Sequence, residues 1–291
     1  MQTFAQYLLG SVGFGGIYAL AALGLVLIFK TSGVVNFAFG ALASLSTMIL
    51  WAGIHRLHVS VGIAWVIAVV AALIIGGLCE VLLLERLRRA PITIQIVLTL
   101  GLLLLIEGIS GLVWGYTPKG IPLVIGGKSI GGNGFFIARD DIFIVALTLF
   151  VALVMTVVFQ RSRIGLGMRA VAADRETAAL MGVPVRRYVL ASWSIGVMIT
   201  SLSAFLVAPK VSLSPTMMED IAVFAFAAAV LGGFGSLVGA VVGGFVVGIA
   251  ANLIAGYLST NYQLTLVFVL IVVVLYLRPN GLFGRAAVAR Q

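Results

Sequence analysis

Long apolar runs, broken by few charges, constrain this chain more than any other feature. They cover residues 5–29, 34–52, 59–84, 92–114, 142–159, 189–208, 221–231, 237–258 and 264–277. A helix needs about 20 apolar residues to cross a ~30 Å hydrocarbon core, and most of these runs are of that order. Hydrophobic residues make up 62% of the chain and charged ones 9%, whereas roughly a quarter of a soluble domain is charged. So little charge cannot clothe a soluble surface of this size, which excludes a cytosolic globular enzyme. A membrane β-barrel is excluded too, because its strands alternate apolar and polar residues and these runs do not. The expectation is an all-α polytopic membrane protein, a bundle of about eight to nine transmembrane helices, forming one domain over residues 1–291.

The distribution of charge orients the helices. Eighteen Lys and Arg against nine acids give +9. Twelve of the fourteen arginines gather in three segments: Arg86, Arg88 and Arg89; Arg161, Arg163, Arg169, Arg175, Arg186 and Arg187; Arg278, Arg285 and Arg290. The positive-inside rule puts all three in the cytoplasm, which accounts for the basic excess without nucleic acid. The N-terminus and the Gly- and Pro-containing loop 115–141 then lie outside, with Lys30 inside. No basic residue precedes the first apolar run, so that run is expected to stay rather than be cleaved. Cys79 is the single cysteine and can form neither a disulfide nor a thiolate cluster within the chain. His55 and His58 have no Cys, Asp or Glu nearby in sequence to complete a metal site, so they are read as ordinary surface residues.

Residues 221–258 raise a parity problem, since a single crossing there would put Arg278 outside. Asp220 can cap a first turn, and Gly232 with Gly233 can end a helix. An eleven-residue helix reaches only about 16 Å. We therefore expect a discontinuous or re-entrant helix that enters from outside and breaks at Gly232 to Ser236 at membrane depth. The helix after it would not complete that crossing. Freed backbone groups at such depth need protein or a water-filled cavity, so Gly232, Gly233, Gly235 and Ser236 become candidates for a translocation pathway. A plain interfacial helix is the other reading. Gly235, Gly239 and Gly243 recur every four residues, as do Gly244 and Gly248. That spacing serves close helix packing, within the chain or at a subunit interface.

The polar stretch 161–188 carries a short helix signal. Asp174 suits an N-cap, Arg175, Glu176, Thr177, Ala178, Ala179, Leu180 and Met181 continue the helix, and Gly182 followed by Pro184 stops it. Its small apolar surface of Ala178, Leu180 and Met181 either rests on headgroups or docks into a cytoplasmic partner. Within the membrane runs, Glu80 is expected to pair with Arg86, Arg88 or Arg89. Glu107 has no local partner and is a candidate to meet a substrate ammonium, to pack as a protonated acid or to bond a neighbouring helix. The Asn36 amide can bond broken backbone or a substrate carboxylate.

Several of these segments resemble one known family. Residues 167–174 (GMRAVAAD) with 178–183 (AALMGV), residues 230–236 (VLGGFGS) with Gly239 and Ala240, the ending 278–284 (RPNGLFG), and near the start 17–20 (IYAL) and 35–38 (VNFA) resemble the branched-chain amino-acid ABC transporter permeases of the LivH type. The resemblance extends over nearly the whole chain. It implies a multi-pass permease of the bacterial inner membrane that performs no chemistry itself and binds no cofactor. Its implied partners are a second, related permease of the LivM type, two cytoplasmic ATPase subunits that bind the ATP, an extracytoplasmic solute-binding protein and membrane lipid, with no nucleic acid. It makes 174–182 the ATPase-coupling helix and places Asn36 and Phe37 on the pathway. Where the family commonly reads Asn-Phe-Ala-His-Gly, Phe39 stands in place of the histidine and removes a polar group from a pathway position. The implied solutes are branched-chain or similar hydrophobic amino acids, with urea, an amide or an aromatic acid as alternatives. A self-sufficient ion-coupled carrier or channel, with Glu107 as its coupling acid, is the reading from a different class. Consistent with an outside energy source, the chain has no phosphate-cradling Gly-x-x-x-x-Gly-Lys-Ser/Thr loop; the nearest approach, residues 122–129, begins with Pro122 instead of glycine.

Overall fold

The computed structural model describes residues 2–87, 90–126, 129–132, 135–278 and 281–284. Its helices in chain order are α1 (Gln2–Ser32), α2 (Phe39–His55), α3 (Val61–Cys79, prolonged by a π-helical turn Glu80–Leu84), α4 (Ile92–Trp114), α5 (Arg139–Arg161), α6 (Arg163–Ala173), α7 (Arg175–Leu180), α8 (Val185–Val211), α9 (Glu219–Gly232), α10 (Leu237–Tyr257) and α11 (Gln263–Leu277). A two-stranded antiparallel hairpin, β1 (Ile130–Gly132) with β2 (Phe135–Ile137), interrupts the all-α pattern inside the 115–141 loop. Gln6 holds this hairpin by bonding both the N–H and the C=O of Phe136.

Helix α1 is the axis of the bundle. It is apolar on every side, so no face of it prefers water, and such a helix belongs in the middle. Residues 17–28 are buried, enclosed by α5, α8, α9 and α10. Glycine makes that enclosure tight: Gly24 meets the backbone of Gly196 on α8, Gly244 sits on Ala19, and Gly248 sits on Gly15. Close backbone approach through small residues is a main source of packing energy between helices in lipid.

Both ends of the axis are pinned. At the basic end, Lys30 Nζ donates to Gly235 O at 2.7 Å and lies 4.6 Å from the Phe159 ring centre. The segment 281–284 bonds the end of α9, Leu282 N to Leu231 O at 2.8 Å and Phe283 N to Gly232 O at 3.2 Å. At the opposite end, Lys210 of α8 pairs with Asp141 of α5 at 2.6 Å, and Lys119 exchanges two backbone hydrogen bonds of 2.9 Å with Leu213.

Among the described residues, seven helical stretches are long and apolar enough to cross a membrane: α1, α3, α4, α5, α8, α10 and α11 together with the 3-10 turn before it, Thr260–Leu277. The expected eight or nine is not borne out by this count, which leaves out the shorter apolar helices α2, with 17 residues, and α9, with 14. The break between α9 and α10 also lies elsewhere than expected. It falls beside Lys30, Arg161 and Arg169 at the basic end, not at mid-depth. Helix α10 then turns back and runs antiparallel to α1 along most of its length, from Gly244 on Ala19 to Asn252 Nδ2 on Tyr7 O at 2.8 Å. Asp220 is not the cap of α9. The helix begins one residue earlier, at Glu219 behind Met218, and both acids occupy its first turn, where the helix dipole favours negative charge. Gly233, at φ +92°, ends the helix as expected.

A second interruption lies near the start of the chain. After α1, Gly33 at φ +66° reverses the chain, and residues 33–38 run inward. Gly40, just inside α2, packs on Met218 and Ala222 at the start of α9. Two short helices therefore begin side by side within the bundle.

Candidate functional site

The inward segment 33–38 is organised by Asn36. Its Oδ1 accepts the Ala38 N–H at 2.9 Å, doing for α2 what a capping side chain does one residue later. The residue is 0% exposed, and its Nδ2 has no hydrogen-bond partner among the described residues. Next to it, Phe37 N donates to Thr99 Oγ1 of α4 at 3.3 Å. Thr99 is seven residues into α4, about 10 Å from that helix's start at 1.5 Å per residue. The turn of the segment is therefore well inside the bundle.

From Phe37 a row of rings leads to the basic end. Phe37 stacks on Phe226 at 6.3 Å, Phe226 meets Phe234 edge-on at 5.6 Å, and Phe234 lies 4.8 Å from Phe29. Towards the other end, Glu107 of α4 and Glu219 of α9 are close enough to interact electrostatically. Val35, Phe37, Glu107, Ala222 and Phe226 are half-buried and Glu219 is exposed. Together they form an open strip between α4, the 33–38 segment and α9, with carboxylates at one end and rings along the rest.

The other expected pathway residues fall into different places. Phe39 is buried in the main core with Met218 and Ile221. Gly232 is packed on the backbone of Gly239, Gly233 supplies the helix end, and Gly235 with Ser236 lies at the basic end. Ser236 Oγ accepts the Gly239 N–H at 2.9 Å, capping α10. Gly243 rests on Ala228 of α9. Thus Gly239, Gly243, Gly244 and Gly248 all bear on helices of this same chain. Glu80 is buried in the π-helical turn at the end of α3, and Glu85, just beyond that turn, pairs with Arg186 at 2.6 Å. Of Glu80's expected partners, Arg88 and Arg89 lie outside the described residues, as do Gly127 and Lys128 of the 122–129 loop. His55 stacks on Trp51 with ring centres 4.9 Å apart.

The short helix α7 forms where the sequence placed it. Asp174 Oδ1 accepts the N–H groups of Glu176 and Thr177 at 2.9 and 3.0 Å. Gly182 takes φ +79°, and Val183 N reaches back to Ala178 O at 3.0 Å, the pattern of a Schellman end. The apolar surface divides in two. Ala178 is 5% exposed and packs with Val171 and Val189, whereas Leu180 and Met181 are 88% and 79% exposed. Arg175 Nε donates to Thr31 O of α1 at 3.0 Å, and its Nη2 bonds the same oxygen. That carbonyl is one of the last on α1, where no intrahelical partner exists and a cation is favoured. The rod is thereby fastened to the axis of the bundle two residues before the inward segment begins.

Sequence reasoning missed Phe29, Thr99, Glu219 and Phe226 in the strip, and the bond from Arg175 to Thr31. In sequence the phenylalanines are indistinguishable from lipid-facing ones; their alignment exists only in three dimensions.

Seven apolar helices long enough to cross a membrane among the described residues, with two shorter ones starting beside each other among them, mark a multi-pass membrane protein. The family model of the branched-chain amino acid transport system permease component matches residues 7–277, and the chain belongs to that family. It is 29% identical over 300 residues to the high-affinity branched-chain amino acid transport system permease protein LivH of Escherichia coli, covering 99% of this chain and 97% of that one. It is 28% identical over 300 residues to the corresponding permease protein BraD of Pseudomonas aeruginosa, covering 99% and 98%. The probable LivH of Methanocaldococcus jannaschii is 23% identical over 290 residues, covering 94% and 91%. No solved structure matches the chain.

Proposed function

We propose that this chain is a membrane-spanning subunit of an ATP-driven importer for branched-chain or similar hydrophobic amino acids, in the inner membrane of a bacterium. In this reading the basic end faces the cytoplasm. The strip between α4, the 33–38 segment and α9 is one wall of the translocation pathway, and a second permease supplies the other. One of two cytoplasmic ATPases docks on α7, the other on the second permease, and a binding protein delivers solute at the opposite end. The observation that carries the proposal is the exposed pair Leu180 and Met181 on a rod capped at both ends and fastened to α1 through Arg175. A rod so held transmits a push from outside instead of absorbing it.

The test follows from how α7 divides its apolar residues. Replacing both Leu180 and Met181 with Asp is expected to abolish co-purification of the ATPase subunits while leaving the permease folded. An Ala178→Asp variant instead buries a charge against Val171 and Val189 and lowers the melting temperature of the permease itself, since an uncompensated buried charge costs several kcal/mol. Undiminished co-purification of the Leu180 and Met181 variant would sink the docking role.

The chemistry of the strip suits a zwitterion with an apolar side chain. Glu107 and Glu219 can meet an ammonium group, Asn36 Nδ2 and the N-terminal N–H groups of α2 can meet a carboxylate, and the rings of Phe37 and Phe226 can pass a hydrocarbon side chain. Changing Glu107 and Glu219 together to Gln is expected to slow leucine uptake by the assembled transporter several-fold without affecting subunit assembly. Radiolabelled uptake into proteoliposomes reads this, and an unchanged rate would remove the two carboxylates from the pathway.

A further inference from the structure

At the basic end, a cavity of about 700 Å³ opens between α5, α6 and the start of α10. The proposed transport cycle does not use it. Its walls carry three cations from three elements, Lys30 of α1, Arg161 of α5 and Arg169 of α6, and no acidic residue lines it among the described residues. The first turn of α10 borders it at Leu237 and Val238, adding the positive end of a 21-residue helix dipole. Cations and a helix N-terminus facing the same space make an anion site.

We infer that this cavity binds the phosphodiester headgroup of an anionic membrane phospholipid. The shared chemistry with free phosphate is the singly or doubly charged phosphoryl group, and two features favour the lipid as its source. Phe159, Leu237, Val238 and Phe283 give the cavity an apolar wall beside its cations, which suits a glycerol backbone and the root of an acyl chain. The flank of α5 leading away from it, through Val157, Leu153 and Phe150, is exposed and apolar, a path for the chains themselves. Basic pockets between membrane helices are recognised sites for anionic headgroups. A lipid seated there would brace the ends of α5 and α6 against the α9–α10 turn.

The full-length permease, purified in detergent, is titrated with phosphatidylglycerol and with phosphatidylcholine while bound lipid is counted by native mass spectrometry. Phosphatidylglycerol is expected to be retained and phosphatidylcholine not. The variant with Arg161→Gln and Arg169→Gln should bind phosphatidylglycerol roughly 20–30-fold more weakly, given about 1 kcal/mol per basic residue near a lipid headgroup. The variant with both arginines changed to Lys should keep most of the affinity, and equal melting temperatures of all three proteins in phosphatidylcholine show that each is folded. Millimolar inorganic phosphate should leave the lipid in place. Equal retention of both lipids, undiminished binding by the Gln variant, or displacement by inorganic phosphate would each overturn the inference. The measurement needs no ATPase, so its failure and a failure of the importer reading are separate results.

Discussion

Replacing Gly244 with Leu is expected to prevent the bundle from assembling. A Cβ at this position would collide with the backbone N and Cα of Ala19 on α1, not with a side chain that can turn aside. Overpacking against mobile side chains costs about 1–3 kcal/mol; here the axes of α1 and α10 must part, and the contacts from Gly248 on Gly15 to Asn252 on Tyr7 go with them. A loss at the upper end of that range shifts the folded population about a hundredfold. Monodisperse yield on size-exclusion chromatography checks it. Gly101 on α4 is the control, because it has open space within 4 Å of where its Cβ would be, and Gly101→Leu should give wild-type yield. Equal yields of the two variants would contradict the central position of α1.

Replacing Arg175 with Ala is expected to separate ATP hydrolysis from uptake. The side chain bonds the C-terminal end of α1 at Thr31 O through two nitrogens, while Leu180 and Met181 stay exposed to solvent. Without that bond, α7 can still hold a partner, yet a displacement of α7 no longer pulls on α1 and the inward segment that follows. A hydrogen bond from a charged group contributes about 1.5–3 kcal/mol, so the coupled state should be depleted tenfold or more. Uptake into proteoliposomes is predicted to fall by that factor while co-purification and ATP hydrolysis persist. Arg175→Lys keeps the charge with one donor fewer in the fork and should retain an intermediate rate. Loss of ATPase binding in the Ala variant would make Arg175 part of the docking surface instead of a link.

What could be read in the sequence was local. The apolar runs, the caps Asp174 and Gly182 and the end of α9 at Gly233 each follow from a few neighbouring residues, and the structure has them. Glycine spacing flagged Gly244 and Gly248 as packing positions, but it could not say that α1 is what they pack against. Depth was the hardest quantity. Whether the break at Gly232 to Ser236 lies inside the bundle or at its end depends on where α9 begins, and the stretch leading into α9 is tied at Leu213 to Lys119, more than ninety positions earlier in the chain. The inward course of 33–38 was hidden for a related reason. Run 34–52 looks long enough for an ordinary helix, yet Asn36 turns the chain ahead of Ala38 and only Phe39–His55 is helical. Ala178 shows the same limit on a smaller scale: helical spacing grouped it with Leu180 and Met181, while its contacts with Val171 and Val189 turn it inward.

Reconstitution decides whether this bundle moves solute only when driven through α7. The permease is placed in liposomes alone under a proton or sodium gradient, and again with its companion permease, ATPases and binding protein under ATP. No leucine accumulation is expected in the first case, and ATP-dependent accumulation in the second. Accumulation by the chain alone under an ion gradient would contradict this, and would make Glu107 the coupling acid of a self-sufficient carrier.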